Sequence, residues 1–504
     1  MSTYSFCIGA SLRKMPRLIH YERDAMTATA TRRQARLHQR QQQARRLQTA
    51  ALLALCMLPV AAALAAPSVF PTGVTRYEPQ KAWNGYVLFS GQDKKTHLID
   101  MNGNEVHQWA QEGFPPVLVE PGKAGGARGH VLLQLAQLPG TYAAGNGLGN
   151  AAIGELDWDG KVVWRWGAAA QAAYGGADTN TNADVSPSAG GAAKQHHDWE
   201  RLSNGNTLVL ANLVHDVKGF KAPRVLDDVL YEVDPQGKIV WRWTASDHLG
   251  EFGFSKAALD QLRNAAPREG AKAVDYLHTN SARALGPNKW FDGGDTRFAP
   301  DNVIISSRQA NIVAIIDRKT GKVVWRLGPD FAPTGGKLPR PVDQLIGQHD
   351  PHLIAPGLPG AGNLIVFDNQ GEAGYPIVSP GIFPHSRVLE IDPVKKEIVW
   401  EYTAVDSRQT QWSFYSAFIS SARRLPNGNT LIDEGMNGRV FQVTPQGEIV
   451  WEYVSPFYGD SAVGGSGRTV RTNWVYRAQP VPYDWVPANT PRSERPLQTV
   501  ASTR

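Results

Sequence analysis

Residues 232–243 read EVDPQGKIVWRW. An apolar run ends at Asp234, Pro235 and Gly237 supply turn chemistry, and a second β-branched run ends in tryptophan. Two short strands joined by such a turn make a β-hairpin. The phrase recurs as LIDMNGNEVHQW (98–109), ELDWDGKVVWRW (155–166), IIDRKTGKVVWRL (315–327), EIDPVKKEIVWEY (390–402) and QVTPQGEIVWEY (442–453), making six copies.

A further short apolar element precedes each copy: NGYVLFS (84–90), HVLLQL (130–135), NGNTLVL (204–210), NVIISSR (302–308), GNLIVFD (362–368) and NGNTLID (427–433). Before most of these comes another: HHDWERL (196–202), HTNSARAL (278–285), HDPHLIA (349–355) and SSARRL (420–425). The unit therefore has four strands, a to d. Six units at long spacing predict an all-β chain folded as a six-bladed propeller. The first unit lacks its strand a, and YRAQPVP near the C-terminus can supply it. The ring would then close without an open sheet edge.

The organisation that follows is a basic segment with an export signal at 1–65, a short lead-in at 66–83, the propeller at 84–485 and a flexible tail at 486–504. Residues 1–65 hold ten Lys and Arg against Glu22 and Asp24, so the overall net charge of +6 belongs to the leader. Nothing in the remainder suggests nucleic acid as a partner. The apolar run 50–64 followed by Ala63-Leu64-Ala65 has the form of a signal peptide cleaved after Ala65. That implies an exported, periplasmic protein with no stable membrane insertion. An uncleaved anchor is the competing reading, although Pro59 and the shortness of the run weigh against a span. Met26 is an alternative start. Cys7 and Cys56, the two cysteines, both lie in this leader. Residues 66–504 thus contain neither disulfide nor thiolate site.

Adjacent propeller strands are antiparallel, so strand a begins, and strands b and d end, on one rim. The long d-to-a connections 167–195, 244–277 (with a helix at Ser255–Asn264), 328–348 and 403–415 lie there as well. Reactive groups on loops of a rigid scaffold are the expected arrangement. Three strand-a starts carry histidine: His196-His197-Asp198, His278-Thr279-Asn280 and His349-Asp350. Strand b of the fourth unit ends in Ser306-Ser307-Arg308. His197, His278, Arg308 and His349 should therefore face one axis. Strand alternation does not separate His196 from His197, and the His-Asp pattern shared with His349 favours His197. His215, His352 and His385 fall elsewhere in their units and read as structural.

NGYVLFS with LIDMNGNEVHQW, then HDWERLSNGNTLVL, HTNS, SSR, QHDPHLI and LPNGNTLIDEG resemble the bacterial arylsulfotransferases that work without a nucleotide sulfate donor. The resemblance spans about residues 84–485, and the ordered set HD, HxNS, SSR, QHD is its most specific part. It implies transfer of a sulfuryl group from an aryl sulfate to a phenol, without cofactor or metal, by a ping-pong route. It also implies that His349 is the histidine transiently sulfurylated. His197, His278 and Arg308 would hold the sulfuryl oxygens and assist proton transfer. Asn280, and Asn369 after strand b of the fifth unit, would lie at the substrate. His197 is the competing nucleophile. The residues suit the chemistry, because a neutral imidazole is nucleophilic near pH 7 and a guanidinium fork matches anionic oxygens. Asp198 and Asp350 are candidates to orient the imidazoles. The oligomeric state does not carry over from the resemblance.

Three other functions compete. DRKTGKVVW resembles the tryptophan-docking repeat of quinoprotein dehydrogenases, which usually have eight repeats. Three histidines at one axis could hold zinc or iron, although an arginine aimed at the same point favours an anion. A binding or scaffold propeller without catalysis is the third.

Overall fold

The structure is a computed structural model. It describes residues 70–122, 126–135, 152–167, 194–267, 273–463 and 468–497. The proposed signal lies outside the described residues, as does most of the Gly/Ala/Asn-rich connection after the second unit. Pro67–Arg504 forms one compact unit.

That unit is a six-bladed β-propeller. Blade 3 shows the repeat most fully, with strand a Lys194–Arg201, b Thr207–His215, c Val225–Val233 and d Ile239–Thr244, each antiparallel to the next. Blade 4 runs Thr279–Ala284, Val303–Ser307, Ile312–Ile316 and Val323–Leu327. Blade 5 runs His349–Leu353, Leu364–Asp368, Arg387–Asp392 and Glu397–Tyr402. Blade 6 runs Ser421–Arg424, Thr430–Glu434, Arg439–Val443 and Ile449–Val454. Blade 2 has a two-residue strand a, Val117–Leu118, which was too short to read from sequence.

Blade 1 takes its strand a from the C-terminus. Gln479–Val481 pairs antiparallel with Tyr86–Leu88, which closes the ring as the missing strand implied. Two segments differ from the sequence reading. The lead-in contributes a strand, Gly73–Tyr77, that covers the outer edge of blade 6. The segment read as a flexible tail is tied down as far as Leu497, which exchanges backbone hydrogen bonds with Tyr77. An extra hairpin, Gly459–Val463 with Arg468–Thr472, precedes the closing strand.

The core consists of apolar layers between neighbouring blades. Leu208, Leu230 and Trp243 of blade 3, for example, pack on Ile305, Ile312 and Ala314 of blade 4. The tryptophan ending each repeat has a second task. Its indole N–H donates to a backbone carbonyl in the c–d turn of the next blade. The pairs run Trp109 to Asp157, Trp166 to Gly237, Trp243 to Gly321, Trp325 to Pro393, Trp400 to Pro445, and Trp451 back to Met101. A buried indole needs such an acceptor, so the repeat carries its own inter-blade latch. The expected helix is present as Lys256–Arg263, with the Ser255 hydroxyl accepting from Ala258 N–H at its N-terminus.

Candidate functional site

Strand a is irregular at its rim end in blades 3, 4 and 5. In each case extra residues on strand a oppose a regular strand b. Such bulges re-aim side chains. At these points His197, His278 and Asp350 have φ of 60°, 52° and 54°, a left-handed conformation that non-glycine residues rarely adopt. Each costs about 1–3 kcal/mol, sustained by the surrounding blades.

The bulges turn the histidines toward one another. The rings of His197 and His278 meet edge to face, with centroids 4.9 Å apart. His349 lies close enough that its charge state is coupled to both His278 and Arg308. Arg308 follows strand b of blade 4, and its backbone N–H donates to the His278 carbonyl. Its side chain passes Gly347, whose φ of 66° is a backbone conformation that favours glycine. The three histidines and the arginine thus come together at one end of the channel.

His349 is the most constrained of the four and is only 2% exposed. Nδ1 donates to Asn369 Oδ1 at 2.7 Å and to the Gly347 carbonyl at 2.9 Å. Nε2 accepts from the Ile419 backbone N–H at 3.1 Å. Acceptors at Nδ1 and a donor at Nε2 define one neutral tautomer, with the lone pair on Nε2. Burial, and then the Arg308 charge, pushes its pKa down to about 3. Ile419 and Ser420, in the loop that caps Nε2, have φ of 56° and 89°, so this loop is held under strain.

His197 is buried, and burial together with the neighbouring His196, His278, His349 and Arg477 lowers its pKa well below the usual imidazole value. It packs edge-on against Phe114 and Tyr476, which stack on each other at 3.7 Å. These rings give the mouth an aromatic wall. His278 Nδ1 is held by the Asp275 carboxylate at 2.5 Å. Asp275 precedes His278 by three residues, in a short strand that runs parallel to strand c of blade 3.

Two sequence assignments need correction. Asn369 is fully buried behind His349, and its amide N–H groups go to the carbonyls of Ser416 and Ile419. It positions the ring and the loop and does not line the substrate space. Asn280 is buried and its amide donates to the Gln348 carbonyl, joining blade 4 to blade 5, while its Oδ1 has no hydrogen-bond partner among the described residues. Asp198 and Asp350 do not orient the imidazoles. Arg477, from the closing segment, bridges them at 2.8 and 3.2 Å, and Arg423 joins Asp350 at 2.7 Å. Carboxylates buried among guanidinium groups are structural ties. The orienting acid, Asp275, was missed because its only signal was DYLH at i, i+3, which is common in any chain.

His215 is bound to Asp227, and His352 and His385 are half-buried, against the Asp350 carbonyl and Gln411 respectively. Among the described residues, no three His, Cys, Asp or Glu side chains are grouped to hold a metal ion. No helix among them is long and apolar enough to cross a membrane.

Solved structures match the chain only at low similarity. A Bacteroides caccae protein of unknown function is 12% identical, with TM-score 0.41, over 79% of this chain and 99% of its own. A putative 6-phosphogluconolactonase of Bacteroides fragilis is 9% identical, with TM-score 0.32, over 79% and 97%. A streptogramin B lyase is 13% identical, with TM-score 0.30, over 82% and 95%. No curated protein matches the chain. The family model described as arylsulfotransferase (ASST) matches residues 133–456, a span that holds His197, His278, Arg308 and His349. That match covers well over half of the 504 residues, and the chain belongs to the arylsulfotransferase family.

Proposed function

We propose that the protein is an exported arylsulfotransferase that moves a sulfuryl group from an aryl sulfate to a phenol, with His349 carrying it between two half-reactions. The observation that carries this reading is the tautomer of His349, whose Nε2 lone pair meets the Ile419 N–H while the Arg308 charge is near enough to lower the ring's pKa.

In the first half-reaction Nε2 attacks sulfur and the S–O(aryl) bond breaks. The phenolate leaves with the electron pair and takes a proton from an adjacent imidazole. The charge gathered on the sulfuryl oxygens falls to Arg308, because a loose transition state is stabilised mainly by fixed charge and donors. The Ile419 N–H, displaced from Nε2, becomes a further donor at the same place. The ring turns positive, and its Nδ1–H stays bound to Asn369 and Gly347, two acceptors suited to an imidazolium. In the second half-reaction a phenol, whose ordinary pKa is about 10, loses its proton to a neighbouring imidazole. Its oxygen attacks sulfur, and the N–S electron pair returns to Nε2. His197 and His278, whose rings meet at this point, are the imidazoles at hand for that step.

The test is mass spectrometry after incubation with a chromogenic aryl sulfate alone. The peptide holding His349 should gain a sulfonate, and His349→Asn should release no phenol with or without acceptor. Arg308→Met should slow turnover by about 10²–10³-fold, the usual effect of losing one charge-stabilising donor. A label on the His196–His197 peptide would move the nucleophile, and no label with any donor would sink the transferase reading.

A further inference from the structure

His196 is the histidine that the rim constellation does not use. It is buried, its Nδ1 lies 2.6 Å from His197 Nδ1, and its Nε2 lies 3.5 Å from an oxygen of Asp228. Asp228 stands near the rim end of strand c of blade 3 and is itself buried. Its other oxygen accepts the Thr279 N–H at 2.8 Å, at the start of the strand that follows His278. Asp228, His196 and His197 therefore form a line that ends at the reaction site.

We infer that His196 and Asp228 are positioning residues that store the proton His197 exchanges with substrate. Resting on the transferase reading, this assigns the acid–base half of the cycle to a buried relay. A carboxylate facing His196 Nε2 favours a proton on that nitrogen, which leaves Nδ1 as an acceptor. His197 Nδ1 then donates, and His197 Nε2 presents a lone pair to the site. When an acceptor phenol gives its proton to that Nε2, the proton on His197 Nδ1 crosses the 2.6 Å contact to His196. His197 is neutral again and His196 is an imidazolium facing Asp228. One proton enters and one shifts, so the balance closes. In the first half-reaction the order reverses, and the stored proton leaves through His197 Nε2 onto the departing phenolate.

The surroundings explain why a relay is useful. His197 faces the edge of His278, the His349 ring, the Arg477 charge, and the apolar rings of Phe114 and Tyr476. A positive charge would sit poorly there. On His196 it sits against a carboxylate. Each cycle releases one phenol and consumes another, so the store is emptied and refilled once per turnover.

His196→Asn separates holding from storing, because an amide oxygen can still accept from His197 Nδ1 but cannot carry the proton on. Asp228→Asn can likewise still accept the Thr279 N–H. Phenol release from donor alone should be measured for leaving groups of different acidity. In both variants, donors with acidic leaving groups should lose only a few-fold. Donors with leaving-group pKa about 10 should lose about 10²-fold or more, within the usual range for a lost general acid. The solvent isotope effect should also fall. Nitrogen NMR of histidine-labelled protein gives an independent reading of the Nδ1–Nδ1 proton in wild type and its change in Asp228→Asn. Unchanged leaving-group dependence in folded His196→Asn, or wild type without the shared-proton signal, overturns the relay. A wild type that shows the signal but releases no phenol from any aryl sulfate overturns the transferase reading and leaves the proton pair standing.

Discussion

Asn369 accepts the His349 Nδ1 proton at 2.7 Å while its own amide donates to the carbonyls of Ser416 and Ile419 at 2.7 and 2.8 Å. One side chain thus fixes the tautomer of the ring at Nδ1 and the loop that touches the ring at Nε2. Asn369→Ala removes three buried hydrogen bonds. His349 Nδ1 keeps the Gly347 carbonyl and the Ser416 carbonyl keeps the Ser386 hydroxyl, while the Ile419 carbonyl loses the Asn369 amide, at about 1–3 kcal/mol for a buried group left unsatisfied. The variant should unfold at clearly lower denaturant. If it folds, it should release phenol from an aryl sulfate at least ~10-fold more slowly, since misplacing a reacting group by an ångström is costly. Denaturant titration and stopped-flow phenol release check both. Wild-type rates in a folded variant would remove Asn369 from the site.

Because the pKa of His349 is held to about 3, the ring stays neutral in the folded protein through the range where a free imidazole charges. The unfolded chain takes up that proton near pH 6.5. Stability from this group is thus complete above about pH 6.5 and is lost as pH falls toward 3, by at most ~1.4 kcal/mol per pH unit. His349→Gln should flatten that part of the acid-unfolding curve. Sulfonate labelling of wild type in single turnover should show no inflection near pH 6.5 from the nucleophile itself.

Gly371 packs directly on the loop that carries Ile419, and a Cβ at that position would lie 2.1 Å from the Ala417 carbonyl oxygen. Gly371→Ala must therefore displace the loop around Ala417, which carries the Ile419 contact to His349 Nε2. Stability should fall modestly, while the rate of His349 labelling should change by more than 10-fold. An alanine variant with wild-type labelling would show that the loop's contact with Nε2 is incidental.

The blades were legible because each repeat carries a period-2 pattern, a turn and a tryptophan. The turn and the tryptophan answer to separate physical demands that the structure joins through the inter-blade latch. The meeting of His197, His278 and His349 followed from strand direction alone. The bulges that turn them, with left-handed His197 and His278, have no signature in residue type. The partners behind the histidines were hidden for a related reason. Asp275 and Asp228 come from elements neighbouring the histidine strands, and a lone aspartate resembles any turn residue. Asp198 and Asp350 misled because adjacency in sequence to histidine says nothing about the opposite face of a strand, where Arg477 waits.

Arg477 lies in the segment that closes the ring and reaches Asp198 of blade 3 and Asp350 of blade 5 in the layer beneath the histidines. Arg477→Met keeps much of the volume and leaves buried carboxylates short of a counter-charge, a loss of about 3–5 kcal/mol when one partner of a buried pair is removed. The expected result is a large drop in thermal stability. His349 labelling at low temperature should be retained if the remaining Arg423 contact holds Asp350 in place. A change of less than about 1 kcal/mol would mean that water, and not Arg477, solvates these acids.

Asp433 is buried in the strand beside Ser421, and neither carboxyl oxygen has a hydrogen-bond partner. Burial first, and then the charges of Asp350 and Glu434, raise its pKa well above the ordinary carboxylate value, against a lowering by Arg477. The folded protein therefore keeps a proton that the unfolded chain loses near pH 3.9. Above that pH the folded state binds more protons than the unfolded state, so its stability falls as pH rises, until the folded value is passed. The favourable protonated form is fully expressed only in acid. Asp433→Asn removes the proton linkage while keeping size and polarity. The stability difference, variant minus wild type, should be smallest near pH 4. It should grow toward neutrality by up to ~1.4 kcal/mol per pH unit at the steepest point. Reading the slope makes the test independent of any fixed cost of the new amide. Denaturant unfolding of both proteins at pH 4, 5.5 and 7 supplies the measurement. Parallel pH profiles would show that Asp433 is ionised in the folded protein and solvated within the channel.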